Sequence, residues 1–208
     1  MTRKTGNSAA ATSERPVRVT LYRWAGQWGP FKVKIPCGEC TLTRDILEDA
    51  FETELAGIPV ELDVRDWLTE WHRPLPKGGW HAPIVMVDDK IVAQGHALNR
   101  GVFAEAVTKA HVAQTGIAGT VVFGKASCPH CVRAKEILEA QGIAYTYRDV
   151  VRDPRALYEM IARVKPIVGP RTPITVPQIW IDGAYIGGAD ALAARFGPAL
   201  DAQVAAAA

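Results

Sequence analysis

The residues of this chain best suited to chemistry are its four cysteines, which fall as Cys37/Cys40 and Cys128/Cys131, two CxxC pairs and no others. Two thiols at this spacing can close a disulfide with each other, or supply half of a tetrahedral metal site. Charge favours the first, because thiolate rather than thiol attacks a disulfide. Lys125 precedes Cys128 by three residues and His130, Arg133 and Lys135 follow, so the nearest charges are cationic. A helix opening at this pair adds the partial positive charge and free N–H groups of its N-terminus. Cys128 is therefore the expected nucleophile and Cys131 the thiol that resolves the mixed disulfide. In the first pair Gly38 and Glu39 lie between the sulfurs. The Glu39 carboxylate opposes thiolate formation, so Cys37 is expected to be less acidic than Cys128. Lys34 partly offsets this, three residues before Cys37 as Lys125 is before Cys128.

The surrounding composition is that of an ordinary globular chain. The 208 residues are 48% hydrophobic and 22% charged, with 24 Lys and Arg against 22 Asp and Glu. A net charge of +2 is too small and too evenly spread to mark nucleic acid or an anionic membrane as partner. No run approaches the roughly 18 apolar residues of a membrane span. Residues 1–16 are polar and lack the apolar core of a secretory signal. They are expected to be a flexible tail on a cytoplasmic protein, where a CxxC pair is redox-active or metal-binding rather than a staple.

The elements that must position the cysteines are written twice. GIPVELDV and HAPIVMVDDKIVAQGHAL follow the first CxxC, and GIAYTYRDV and TVPQIWIDGAYIGGADAL follow the second. Aligning Pro83 with Pro177 places Asp88 on Asp182 and Leu98 on Leu192 without a gap and keeps the alternating apolar strand in phase. Each copy reads in the same order, strand, helix, strand, helix, hairpin and helix, with CxxC at a helix N-terminus. In the second copy the second helix opens at Asp153-Pro154 and ends near Val164, an N-cap followed by proline at the first helical position. In the first copy a helix is expected from Thr41 to Ala56, with a Gly/Trp-rich insertion before Cys37 and the segment DWLTEWHRPLPKGGW before Pro83. The expected fold class is α/β, with two tandem thioredoxin-fold domains, each a central mixed sheet flanked by helices. The expected boundaries are a tail at 1–16, a thioredoxin-like CGEC domain at 17–112, a linker at 113–118, a CPHC domain at 119–203 and a tail at 204–208.

VVFGKASCPHCVRAKEIL followed by TVPQIWIDGAYIGGADAL resembles the dithiol glutaredoxins, close to the bacterial type, over about residues 118–200. The resemblance implies a thioredoxin fold and glutathione-dependent thiol-disulfide exchange, with glutathione as co-substrate and no tightly bound cofactor or metal. By position it makes Cys128 the nucleophile, Cys131 the resolving thiol and Pro177 a cis-proline whose neighbour Val176 hydrogen-bonds the glutathione backbone. Lys125, Thr175, Gly188 and Asp190 match further glutathione-contact positions, and His130 stands within the motif where tyrosine is usual. Ala191 replaces the second acidic or polar residue that often follows the Gly-Gly. The first half looks like a diverged thioredoxin-fold domain, with CGEC and with Pro83 as its cis-proline candidate. It has Ala93-Gln94-Gly95-His96 where the second half has Gly187-Gly188-Ala189-Asp190, so its thiols are expected to exchange with a protein or with the other domain rather than with glutathione.

The function expected is reduction of protein disulfides or glutathione mixed disulfides through Cys128/Cys131, with the Cys37/Cys40 domain as electron relay or target-recruiting module. The alternative is a metal or iron–sulfur carrier that uses the cysteine pairs. Trp67, Trp71 and Trp80 are expected to bury against the core rather than line a groove, and His81 to be a surface or packing residue.

Overall fold

The computed structural model describes residues 15–35 and 37–196. Most of the expected N-terminal tail, Pro36, the end of the 119–203 segment and the 204–208 tail lie outside the described residues. The first unit runs β1 (Val17–Arg23), a hairpin of β2 (Gly26–Trp28) and β3 (Phe31–Val33), α1 (Gly38–Glu52), β4 (Val60–Asp66), a single turn α2 (Trp67–Glu70), β5 (Ile84–Val87), β6 (Lys90–Gln94) and α3 (Arg100–Val112). The second runs β7 (Val121–Gly124), α4 (Pro129–Ala140), β8 (Thr146–Asp149), α5 (Pro154–Val168), β9 (Gln178–Ile181) and β10 (Ala184–Gly187). Residues 189–196 close it as a helix.

The two main sheets share one design. Their strand orders are β4-β1-β5-β6 and β8-β7-β9-β10. In each the first two strands are parallel, as a strand–helix–strand crossover requires, and the rest antiparallel, as the hairpin requires. The repeat legible in the sequence is therefore a repeat of structure. Ala82–Pro83 and Val176–Pro177 are both cis, Leu98 and Leu192 are both buried, and the hairpins turn at Asp88/Asp89 and Asp182/Gly183 with positive φ at every turn residue. The chain is α/β, with two four-stranded mixed sheets, each flanked by helices.

Burial follows the strand alternation. In the first domain Val17, Val19, Leu21, Val85 and Val87 face α1 and α3 and pack against Leu47, Ala50, Phe103 and Val107. Tyr22, Ile84 and Met86 face the other way, where Trp67 and Ile91 cover them. In the second domain Val122, Ile179 and Ile181 meet α4 and Leu192, while Val121, Phe123 and Trp180 meet Ala156, Met160 and Val164 of α5. Each buried Val, Ile, Leu or Phe contributes about 1.5–3 kcal/mol.

The domains differ on the face away from the active helix. α5 is four turns long and started by Asp153, whose side chain accepts from the Arg155 N–H at 3.0 Å. It runs through Pro166 to Val168, beyond the expected end near Val164, because a proline in the last turn removes only one bond of the ladder. The first domain has only α2 and a 3-10 turn, Leu75–Lys77, in that place. Its α1 opens at Gly38, three residues earlier than the periodicity indicated, so Cys37 caps the helix and Cys40 lies inside it. The domains meet through α3 and α5: Tyr158 packs on the first core and the Arg163 guanidinium donates to the Thr115 carbonyl at 3.0 Å.

The hairpin of β2 and β3 is fastened to α2 by two main-chain donors. Leu68 N–H reaches the Ala25 carbonyl at 3.0 Å, and Gln27 N–H the Thr69 hydroxyl at 3.0 Å. Gly26 sits at φ +105, and a Cβ there would lie 2.4 Å from Thr69 Oγ1. Gly26→Ala should therefore lift the hairpin off α2 and cost about 1–3 kcal/mol. Urea unfolding followed by tryptophan fluorescence, which reports mainly the first domain because five of the six tryptophans lie there, will reveal it. An unchanged midpoint and folded-state spectrum would show that the hairpin is not held this way.

Candidate active site

Both CxxC pairs occupy the same structural position. Cys37 and Cys128 are the N-cap residues of α1 and α4, in extended conformation and with no side-chain oxygen capping the helix. An N-cap normally uses Ser, Thr, Asp or Asn to satisfy the free N–H groups of the first turn. Here a cysteine occupies the position without a side-chain cap bond, and at α4 the free N–H groups and the helix dipole favour negative charge on Cys128. Pro129 at the first helical position of α4 forfeits only an N–H that has no partner in the helix.

Around Cys128, which is 6% exposed, burial on its own would push the thiol up. Hydrogen bonds from the Cys131 thiol and from the main-chain N–H groups of Cys131 and His130, together with the positive charge of Lys125, outweigh it and hold Cys128 below the ordinary cysteine range. Cys131 moves the other way. Burial and its hydrogen bond to Cys128 push its thiol up to about 11, against a main-chain hydrogen bond from Lys125. The pair is thus split into one thiol suited to attack and one suited to stay protonated until needed.

The predicted glutathione-contact residues fall at this end of the second domain. Val176 is the nearest: its carbonyl accepts from the Cys128 thiol at 3.6 Å, immediately before cis-Pro177. Thr175 is exposed, and its carbonyl accepts from the Gln178 amide at 2.7 Å. Lys125 and His130 are exposed. Gly188 and Asp190 lie where β10 meets the closing helix; the Gly188 carbonyl accepts from Leu192 N–H, and Asp190 is exposed and paired with Arg133 at 2.7 Å.

In the first domain the Cys37 and Cys40 sulfurs are 2.8 Å apart. Cys40 is fully buried, and burial and its hydrogen bond with Cys37 push its thiol up to about 11. Trp24 N–H donates to Cys40 Sγ at 3.3 Å, as Lys125 N–H does to Cys131. This corrects the expected equivalence of Lys34 and Lys125. The residue following the first strand is Trp24, and residues 25–36 are inserted between it and Cys37. The cation of one site is an indole at the other. Glu39 lies in the first turn of α1, whereas the first turn of α4 has no acidic residue.

Two features escaped the sequence reading. Tyr147, on β8, has a buried hydroxyl without a hydrogen-bond partner among the described residues, and burial and the neighbouring cysteines push its phenol up to about 12. A Cβ on Gly124 would lie 2.8 Å from that hydroxyl and 3.1 Å from Cys131 Sγ, so the bare glycine lets both groups crowd the end of β7. Lys135 lies over the Tyr147 ring, 3.6 Å from its centroid. No short motif carries this arrangement, because strand pairing alone brings Tyr147 beside Val122. The second is the tryptophan surface of the first domain. Trp67 packs on the sheet but is only half-buried and lines a groove, and Trp71 and Trp80 do not bury against the core and are 40% and 64% exposed. His81 is exposed and stacks on Trp80 at 5.7 Å between centroids.

Among the described residues no three His, Cys, Asp or Glu side chains converge as metal ligands. No helix among the described residues is long and apolar enough to cross a membrane.

Residues 120–186 match the family model described as Glutaredoxin. Glutaredoxin 3 of Escherichia coli is 37% identical over 76 residues, which cover 36% of this chain and 83% of that protein. The chain belongs to the glutaredoxin family. It does so through its second domain. Glutaredoxin 1 of Rickettsia conorii is 38% identical over 72 residues, 35% of this chain and 66% of that protein. The crystal structure of a buckwheat glutaredoxin–glutathione complex aligns with 46% of this chain and 78% of its own, at 26% identity and a TM-score of 0.32.

The split between Cys128 and Cys131 sets the pH dependence of alkylation. A thiol whose pKa is lowered holds more thiolate at a given pH than an ordinary cysteine, and one raised to about 11 holds less. Iodoacetamide at pH 7 should modify Cys128 and spare Cys131, and Lys125→Met should move the Cys128 alkylation midpoint to higher pH by removing the positive charge beside it. Peptide mass mapping after timed quenching reads both. Equal labelling of the two sulfurs at pH 7 contradicts the assignment.

Proposed function

We propose that the chain is a glutathione-dependent thiol-disulfide oxidoreductase of the cytoplasm, acting on protein disulfides or glutathione mixed disulfides through Cys128 and Cys131. The observation that carries this reading is the placement of Cys128: an N-cap cysteine of lowered pKa, in hydrogen-bond contact with Cys131 and 3.6 Å from the Val176 carbonyl. Membership of the glutaredoxin family supports glutathione as co-substrate, with no tightly bound cofactor.

The Cys128 thiolate attacks the glutathione sulfur of a mixed disulfide. The protein–glutathione bond breaks, the target leaves as a thiol after taking a proton, and glutathionyl-Cys128 forms. A second glutathione thiolate then attacks that adduct, releasing oxidised glutathione and restoring Cys128. With a protein disulfide, Cys131 attacks the Cys128 mixed disulfide instead, and two glutathione molecules reduce the resulting Cys128–Cys131 disulfide. Lys125, Thr175, Val176 and the Gly188–Asp190 segment are the residues proposed to hold glutathione. Asp190 must share its carboxylate between Arg133 and a glutathione amino group, which weakens capture relative to an unpaired acid. The 17–112 domain, a diverged relative of thioredoxin in this reading, relays electrons through Cys37/Cys40 or recruits a target. Family membership and the separation of the cysteine pairs into two helix caps support exchange chemistry over a metal or iron–sulfur carrier.

The experiment is glutathione-dependent reduction of a glutathionylated peptide, coupled to glutathione reductase. Cys128→Ser should abolish turnover. Cys131→Ser should keep turnover on the glutathione mixed disulfide and lose it on a protein disulfide. Full activity of Cys128→Ser overturns the assignment, and an unchanged Cys37→Ser rate on a protein disulfide overturns the relay.

A further inference from the structure

A tryptophan-lined groove adjoins the Cys37/Cys40 pair through Trp24, whose N–H meets Cys40 Sγ. Trp24, Trp28, Trp67, Leu68 and Trp71 line a volume of about 380 Å³, within the range of about 300–1,000 Å³ typical of pockets that take a small molecule or a bulky side chain. Trp24 and Trp67 stack with centroids 5.3 Å apart to form the floor, and Trp28, 57% exposed, stands as a wall. Water exposure of so many tryptophans is unusual without a partner. The wall is built rather than loose, since the Gly26 approach and the two main-chain donors described above fasten the hairpin to α2. Trp24 also ties the groove to the thiols through its N–H on Cys40 Sγ.

A second observation identifies the occupant's backbone. Ala82, which precedes cis-Pro83, is the counterpart of Val176. Among the described residues neither its N–H nor its carbonyl has a hydrogen-bond partner. A buried residue leaving both groups open calls for a main-chain partner, and an extended polypeptide offers a donor and an acceptor at the matching spacing. Trp24 in place of Lys125 removes the cation suited to a glutathione carboxylate.

We propose that Cys37/Cys40 acts on disulfides in polypeptide segments carrying an aromatic or bulky apolar side chain next to the cysteine, and that the tryptophan groove selects that side chain. This rests on reading Cys37/Cys40 as a thiol-disulfide exchange site. In one turnover the Cys37 thiolate attacks the peptide disulfide, one peptide sulfur leaves and is protonated, Cys40 loses its proton and attacks the mixed disulfide, and the second peptide thiol departs. The peptide disulfide is reduced by two electrons and the Cys37–Cys40 disulfide forms, so the peptide is the oxidant and no other reagent is needed.

The test uses the full chain with Cys128→Ser and Cys131→Ser, fully reduced, in single-turnover reactions followed by peptide thiol release. The probes are two disulfide-bridged peptides differing only in tryptophan or serine beside the cysteine, with hydroxyethyl disulfide as the reference for every variant. The tryptophan peptide should react faster by a factor of about ten or more, the scale on which apolar pockets discriminate. That ratio should fall towards one in Trp28→Ser/Trp71→Ser, and N-acetyltryptophanamide should slow the tryptophan peptide alone. Equal rates for the two peptides, or equal inhibition of both, overturn the groove while leaving the thiol site standing. Failure of both peptides and of hydroxyethyl disulfide to oxidise Cys37/Cys40 overturns the exchange-site reading itself. A small aromatic disulfide reacting as fast as the tryptophan peptide overturns the polypeptide part.

Discussion

A cysteine sulfur in the N-cap position of a helix is the interaction around which each half of the molecule is arranged. Helix N-termini need an acceptor for their first N–H groups, and in α3 and α5 Asn99 and Asp153 supply an oxygen. α1 and α4 have none, and a cysteine occupies the N-cap position instead. The arrangement works only because the second cysteine, inside the first turn, is buried and stays protonated to donate towards the first. A stronger cap would stabilise the helix and abolish the thiolate, so the site gives up some local stability for reactivity.

The two domains carry this device on the same scaffold and surround it differently. In the second, cations and open main-chain groups gather at Cys128, and α5 covers the far side of the sheet. In the first, the strand leading to the site ends in Trp24, the hairpin intervenes, and one helical turn and a 3-10 turn replace the covering helix. Losing that helix leaves only a small cluster, Tyr22, Ile84 and Met86, on that face, and frees its tryptophans to build surface.

Much of this is legible in the sequence where it depends on local rules. The spacing of CPHC, the Asp-Gly turn at Asp182–Gly183, the Asp153-Pro154 helix start and the Pro83/Pro177 alignment each encode a backbone demand that one or two residues reveal. The tryptophans are different. Trp67 is half-buried on the sheet, whereas Trp71 and Trp80 are exposed, because no helix like α5 provides a layer against which they would pack. Lys34 stands at the right sequence distance from Cys37 and at the wrong place in the fold, since distance along the chain does not register an inserted hairpin. Tyr147 is invisible for the same reason: parallel pairing of β7 and β8 places it, and no local pattern does.

The docking of α3 on α5 has a consequence for the chain as a physical object. α3 belongs to the helical layer of the first sheet and α5 to that of the second, so the domains share one sandwich of helices between two sheets, with Tyr158 of one seated on the core of the other. Separating the halves would uncover Tyr158 and the part of the first core that it covers, and would break the bond from Arg163 to the Thr115 carbonyl.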